Sequence, residues 1–210
     1  MKILFNYCLA AGLTIASFSC NNGQDNQVKD AKDSNDVKMD SSAAARDTTA
    51  GGSATATATV PASVSKDDAQ FMVNTANAGM TEVQAGQLAE QKGEGQDVKD
   101  YGAMMVKDHT AAGDKLNALA ATKNITLPAA ISPKMQKNLD DLQKKDGKDF
   151  DKAYLSMMVD DHKKVISMFE DESKKGSDAD IRSFADNTLH TLRTHLQKAE
   201  ECKKMMKGGM

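Results

Sequence analysis

A nine-residue pattern occurs twice in this chain, as Tyr101-Gly-Ala-Met-Met-Val-Lys-Asp-His109 and as Tyr154-Leu-Ser-Met-Met-Val-Asp-Asp-His162. Tyr, Met-Met-Val and Asp-His keep their offsets in both copies, so the two segments are expected to meet similar surroundings. Met105 stands one helical turn before His109, as Met158 does before His162, and residues so spaced share one helix face. The repeat therefore predicts two related helices that turn methionine and histidine toward a common interior.

Helical periodicity extends through the C-terminal two-thirds of the chain. Ser65-Lys-Asp-Asp68 has N-cap spacing and opens a first long helix to about Lys92, ended by Gly93-Glu-Gly95. A second is predicted from about Asp97 to Lys123, with Val98, Gly102, Met105, His109, Ala112, Leu116 and Leu119 at three- and four-residue spacings. After a connection containing Pro128, Ser132-Pro133 supplies an N-cap and an N1 proline for a shorter helix to about Lys145. The third long helix, about 148 to 175, carries Leu155, Met158, His162, Val165 and Phe169 on one face. Ser177-Asp-Ala-Asp180 is a further cap signal, and the fourth helix, about 178 to 206, turns Ile181, Ala185, Thr188, Leu192, His195, Ala199 and Cys202 inward, with His190 on the opposite face. Two tight turns and one longer crossover predict an all-α, antiparallel four-helix bundle with a short extra helix in the crossover. Val98-Lys-Asp-Tyr101-Gly102 is echoed by Ile181-Arg-Ser-Phe184-Ala185, which reads as duplication of a helical hairpin.

The first 65 residues have a different character. Met1-Lys2 and the apolar run Ile3 to Phe18 are too short for a comfortable membrane span and predict a signal peptide over residues 1–19. Cys20 follows Ser19 where a bacterial lipoprotein signal needs its acylated cysteine, so lipidation is expected there. The expected location is the cell envelope, as an outer-membrane lipoprotein facing the periplasm or the surface, with the membrane as partner through the anchor. From residue 20 to 65 large apolar side chains are nearly absent, which predicts a disordered tether ahead of a folded domain at 66–207. Cys8, Cys20 and Cys202 form no disulfide framework. A net charge of -3 with interspersed lysines and acids excludes a nucleic-acid-binding stripe.

Six separated motifs stand in order over about residues 66 to 200: Phe71 through Gly79-Met80-Thr-Glu82-Val83 with Gln87-Leu88-Ala89; Met105 through Asp108-His109; Leu127-Pro128; Phe150-Asp-Lys-Ala-Tyr154; Asp161-His162; and Thr188-Leu189 through Leu192-Arg193-Thr-His195-Leu196. Together they resemble a bacterial family of secreted or lipid-anchored proteins known only as a domain of unknown function and regarded as ferritin-like. The resemblance implies a ferritin-like bundle and an extracytoplasmic location, and it carries no established activity. His190 departs from it, standing where proline is expected after Leu189.

Ferritin-like di-iron sites pair glutamates with Glu-x-x-His motifs. Here the residues three before His109, His162 and His195 are Val106, Val159 and Leu192, so that motif is absent. The three histidines and Glu82 nonetheless fall at similar depths in their helices, within roughly 8 Å of one level at ~1.5 Å rise per residue. Ala78, Gly79, Ala85, Gly86 and Ala89 around Glu82 allow close helix approach or leave room for an ion. Two readings follow. In the first the chain is a non-catalytic envelope module, structural or stress-related, whose histidines bond carboxylates across the core. No nucleophile elbow, phosphate cradle or other catalytic motif argues against it. In the second the bundle holds copper, zinc or iron, with His109, His162 and His195 as ligands, a carboxylate from Glu82, Asp108 or Asp161, and thioethers from Met105 or Met158 favouring copper.

Overall fold

The computed structural model describes residues 27–47 and 64–208, and among these every regular element is a helix. The elements are α1 (Gln27–Asp47), α2 (Lys66–Lys92), α3 (Gln96–Thr122), α4 (Pro133–Gln143), α5 (Gly147–Lys175) and α6 (Ala179–Gly208). The signal segment and Cys20 lie outside the described residues.

Local chemistry sets the boundaries. Ser65 accepts from the Asp68 amide while the Asp68 carboxylate accepts from the Ser65 amide, a reciprocal cap that satisfies two otherwise orphaned donors at the start of α2. Ser132 accepts from the Met135 amide with Pro133 at the first helical position of α4. Gly147 starts α5 at φ +55, a conformation that disfavours a side chain. The cap of α6 lies one residue beyond the serine: Asp178 Oδ1 accepts from the amides of Asp180 and Ile181. Ser177 is displaced from that role because its own amide, with that of Asp178, is held by Asp68 of α2.

That last contact has a counterpart. Asp151 of α5 accepts from the amides of Glu94 and Gly95, in the turn between α2 and α3. The same sequence interval separates Asp68 from Asp151, Glu94 from Ser177 and Gly95 from Asp178. Each helix pair thus uses a buried aspartate to cap the turn of the other.

The four long helices share one interior. α2 packs along α3 and α5 along α6, with further contacts of α2 on α5 and α3 on α6, and α4 covers α2 and α5. α2 and α3 touch backbone to backbone where Gly86 meets Gly102; a Cβ on either would lie 2.8 Å from the other's carbonyl oxygen. The interior is divided into two apolar clusters. One holds Tyr101, Met105, Leu139, Phe150, Tyr154 and Met158; the other holds Phe71, Leu116, Val165, Phe169, Ile181 and Leu192. Between them lies a polar layer.

α1 corrects the expectation of a tether without secondary structure. It packs on α2, burying Ala31 and Asn35. The Asn35 amide accepts from the Thr126 backbone N–H at 2.7 Å and donates to the Thr126 carbonyl at 2.9 Å. Two directed hydrogen bonds and the stem of Met39, packed on the second cluster, replace the apolar stripe whose absence suggested disorder.

Candidate metal centre

The polar layer is built from one residue of each long helix: Glu82 on α2, His109 on α3, His162 on α5 and His195 on α6, all buried. Each follows an apolar neighbour one turn away, so the helix faces that bury Met105, Met158 and Leu192 carry the histidines inward as well. The three imidazole centroids lie 5.1, 5.4 and 5.7 Å apart. One ring nitrogen from each falls within 4.8 Å of the other two.

The outward nitrogens all have oxygen partners. His162 Nδ1 is 2.9 Å from the Met158 carbonyl, which can only accept, so this nitrogen carries the proton. His195 Nε2 donates to Asp108 Oδ2 at 3.0 Å. His109 Nδ1 faces Glu82 Oε2 at 3.2 Å. Glu82 Oε1 lies 3.4 Å from His162 Nδ1 but makes no hydrogen bond, because that proton is already directed at Met158.

The inward nitrogens follow by proton count. A neutral imidazole has one N–H and one lone pair. His162 Nε2 and His195 Nδ1 therefore present lone pairs to each other across 3.3 Å. His109 Nε2 is buried with no hydrogen-bond partner. His162 and His195, each with its far nitrogen donating and its near nitrogen bare, show the pattern in which a protein presents histidine to a metal, and His109 adds a buried Nε2 without a partner.

Burial keeps the rings neutral. Removal from water pushes His109 and His195 down to about 4, against partial opposition from Asp108, and lowers His162 too, despite the charge of Glu82. Glu82 is pushed up to about 7, chiefly by burial, with His162 opposing and Asp161 adding to the rise. The contact between Glu82 and His109 is accordingly one with an uncharged imidazole, not an ion pair.

The predicted residues separate into groups. Glu82, His109, His162, His195 and Asp108 come together, with Asp108 orienting His195 from outside the nitrogen cluster. Asp161 pairs with Lys164 at 3.3 Å and acts on Glu82 through its charge. Met105 and Met158 are fully buried in the first apolar cluster, beside Tyr101 and Tyr154. His190 is exposed. Cys202 is a buried free thiol. The Met158 carbonyl was not a candidate, since a backbone acceptor leaves no trace in side-chain spacing. The hydroxyls of Tyr101 and Tyr154, buried without hydrogen-bond partners, were also missed.

A search of curated proteins finds no match. Among solved structures the chain is similar to the crystal structure of a DUF305 fragment from Deinococcus radiodurans, with a TM-score of 0.61 at 11% identity, covering 70% of this chain and 99% of that one. At that identity the likeness speaks to the fold alone. A family model described as Domain of unknown function (DUF4142) matches residues 53–202, which include α2, α3, α5, most of α6 and every residue of the histidine layer. The chain belongs to that family.

Proposed function

We propose that this protein is a metal-binding, ferritin-like four-helix bundle of the cell envelope, holding one transition-metal ion through Nε2 of His109, Nε2 of His162 and Nδ1 of His195. The observation that carries the reading is the approach of His162 Nε2 to His195 Nδ1 at 3.3 Å while the other nitrogen of each ring meets an oxygen acceptor, which turns two lone pairs toward each other. Such an arrangement is repulsive unless a cation lies between, and burial disfavours the proton as that cation. Two nitrogens bound at ~2.0 to 2.1 Å to a tetrahedral ion stand about 3.3 Å apart. Glu82, Asp108 and the Met158 carbonyl would then orient the ligands. Three imidazoles without a bridging carboxylate suit zinc or copper better than a di-iron centre. The fold assignment is supported by the two helix pairs and the reciprocal aspartate caps, which recur at one sequence interval.

The test is a melt of chelator-stripped protein titrated with zinc, copper and iron. An ion that binds only the folded state raises the midpoint saturably, by several degrees at concentrations well above its Kd. His109→Ala and His162→Ala should lose the rise and His190→Ala should keep it. No rise with any ion, or equal loss in the His190 variant, would leave the histidines as a hydrogen-bonded structural layer.

Attachment to the envelope through an acylated Cys20 belongs to the same proposal, supported by the apolar run and small residue that precede it. Cys20→Ala should abolish fatty-acid labelling and release the protein from membranes; continued membrane association would contradict the anchor. Among the described residues no helix is long and apolar enough to cross a membrane.

A further inference from the structure

The histidine layer has two sides. Toward the α2–α3 turn it is closed by the packed cluster of Met105, Met158, Tyr101 and Tyr154. On the other side a cavity of about 390 Å³ reaches Glu82 and His109. Its walls include Leu116, Val165, Phe169 and Leu192. Three buried side-chain atoms without hydrogen-bond partners belong to residues that line it: Thr75 Oγ1, Glu82 Oε1 and His109 Nε2. His109 is only 8% exposed, so its bare nitrogen is held in a nearly dry wall.

Two glycines keep this space open. Gly79 on α2 and Gly113 on α3 both line the cavity, and a Cβ on either would meet nothing within 4 Å. They contrast with Gly86 and Gly102, where the missing side chains let two backbones touch. Glycine inside a helix costs on the order of 1 kcal/mol relative to alanine. At Gly79 and Gly113 no helix contact offsets that cost; what their lack of side chains provides is volume beside His109.

The geometry points to a small organic ligand that enters this cavity and takes the fourth position on the metal. A site with three protein ligands and an accessible fourth position is the arrangement of metals that bind exogenous molecules. The ligand class follows from the lining. It has one metal-binding heteroatom, an apolar body that fits against Leu116, Val165 and Phe169, and a volume suited to a small-molecule site at the lower end of the usual range. This inference rests on the three-imidazole reading, and its test separates the two.

The protein is loaded with cobalt(II), the bound ion is counted, and 1-methylimidazole and 1-benzylimidazole are titrated while the cobalt visible bands are followed. Both donors should shift the bands without removing the ion, and the benzyl compound should bind at least about tenfold tighter because its ring buries apolar surface. Gly79→Leu and, separately, Gly113→Leu add bulk at lining positions where a Cβ meets no neighbouring atom. Each should retain one cobalt and melt no lower than the parent while weakening the benzyl compound by about tenfold or more. If cobalt does not bind at the histidines, both readings fall. If it binds and the bands do not respond, if the two imidazoles bind equally, or if the leucine variants bind the benzyl compound as the parent does, the metal reading stands and the cavity ligand is overturned.

Discussion

Glu82 titrates against the imidazoles that surround it, and the two effects have opposite signs. In the fold its carboxyl is pushed up to about 7 from an ordinary 4.5, so the unfolded chain releases that proton first, and stability is lost as pH rises between those values. His109 and His195 are pushed down to about 4 from 6.5, so the unfolded chain takes up protons first, and stability is lost as pH falls from 6.5 toward 4. Glu82→Gln keeps an acceptor for His109 and removes the first effect. In metal-free protein the variant should gain on the parent as pH rises from 4.5 to 7, reaching on the order of 3 kcal/mol, with a constant difference above that range. Urea unfolding at closely spaced pH values checks this; a pH-independent difference would mean that Glu82 is ionised throughout. The three histidines were legible in the sequence because helical spacing alone puts them on buried faces. Which nitrogen of each is free was not, since that depends on the Met158 carbonyl and on Asp108 reaching His195 from a different helix.

At the level of elements, α2 through α6 were visible from periodicity and capping, and their ends shift by only a residue or two in the fold. The shifts have identifiable causes. α6 is capped by Asp178 and not Ser177 because Asp68, far away in sequence, holds the Ser177 and Asp178 amides, and Lys123 pairs with Asp178 at 2.7 Å. α1 was invisible for a stronger reason. Its 21 residues lack an apolar stripe, so composition alone reads as a tether. What docks it is the amide of Asn35 pairing with both backbone groups of Thr126, in a connection without regular structure of its own. Ser34 and Lys38 add contacts to the Thr126 hydroxyl. A polar helix held by a few directed bonds leaves no periodic signal to find. The paired glycines show the same limit: Gly79 and Gly86 look alike in sequence, yet one leaves room and the other lets α3 approach.

For the whole molecule, the reciprocal caps predict that neither helix pair folds alone. The α2–α3 turn depends on Asp151 and the α5–α6 turn on Asp68. Each pair would also expose a large apolar face, with Phe71 parted from Phe169 and Tyr101 from Tyr154, rings that now meet at 4.9 and 5.9 Å. Removing both supports at once leaves each half with two unpaired backbone amides in its turn and half a core, and about 65 to 80 residues cannot offset that loss from what remains. A protease site inserted at the exposed Ala129 allows the comparison in one protein. Cut in the folded state, the halves should stay together, elute as one species and melt in a single transition. Separated in denaturant and refolded singly, each should show reduced helicity and a broad, non-cooperative melt, and mixing should restore both the sharp transition and the metal-dependent rise in midpoint, because two of the proposed ligands come from one half and one from the other. A half that melts alone as sharply and at the same temperature as the intact chain would show that the aspartates only decorate turns that fold without them.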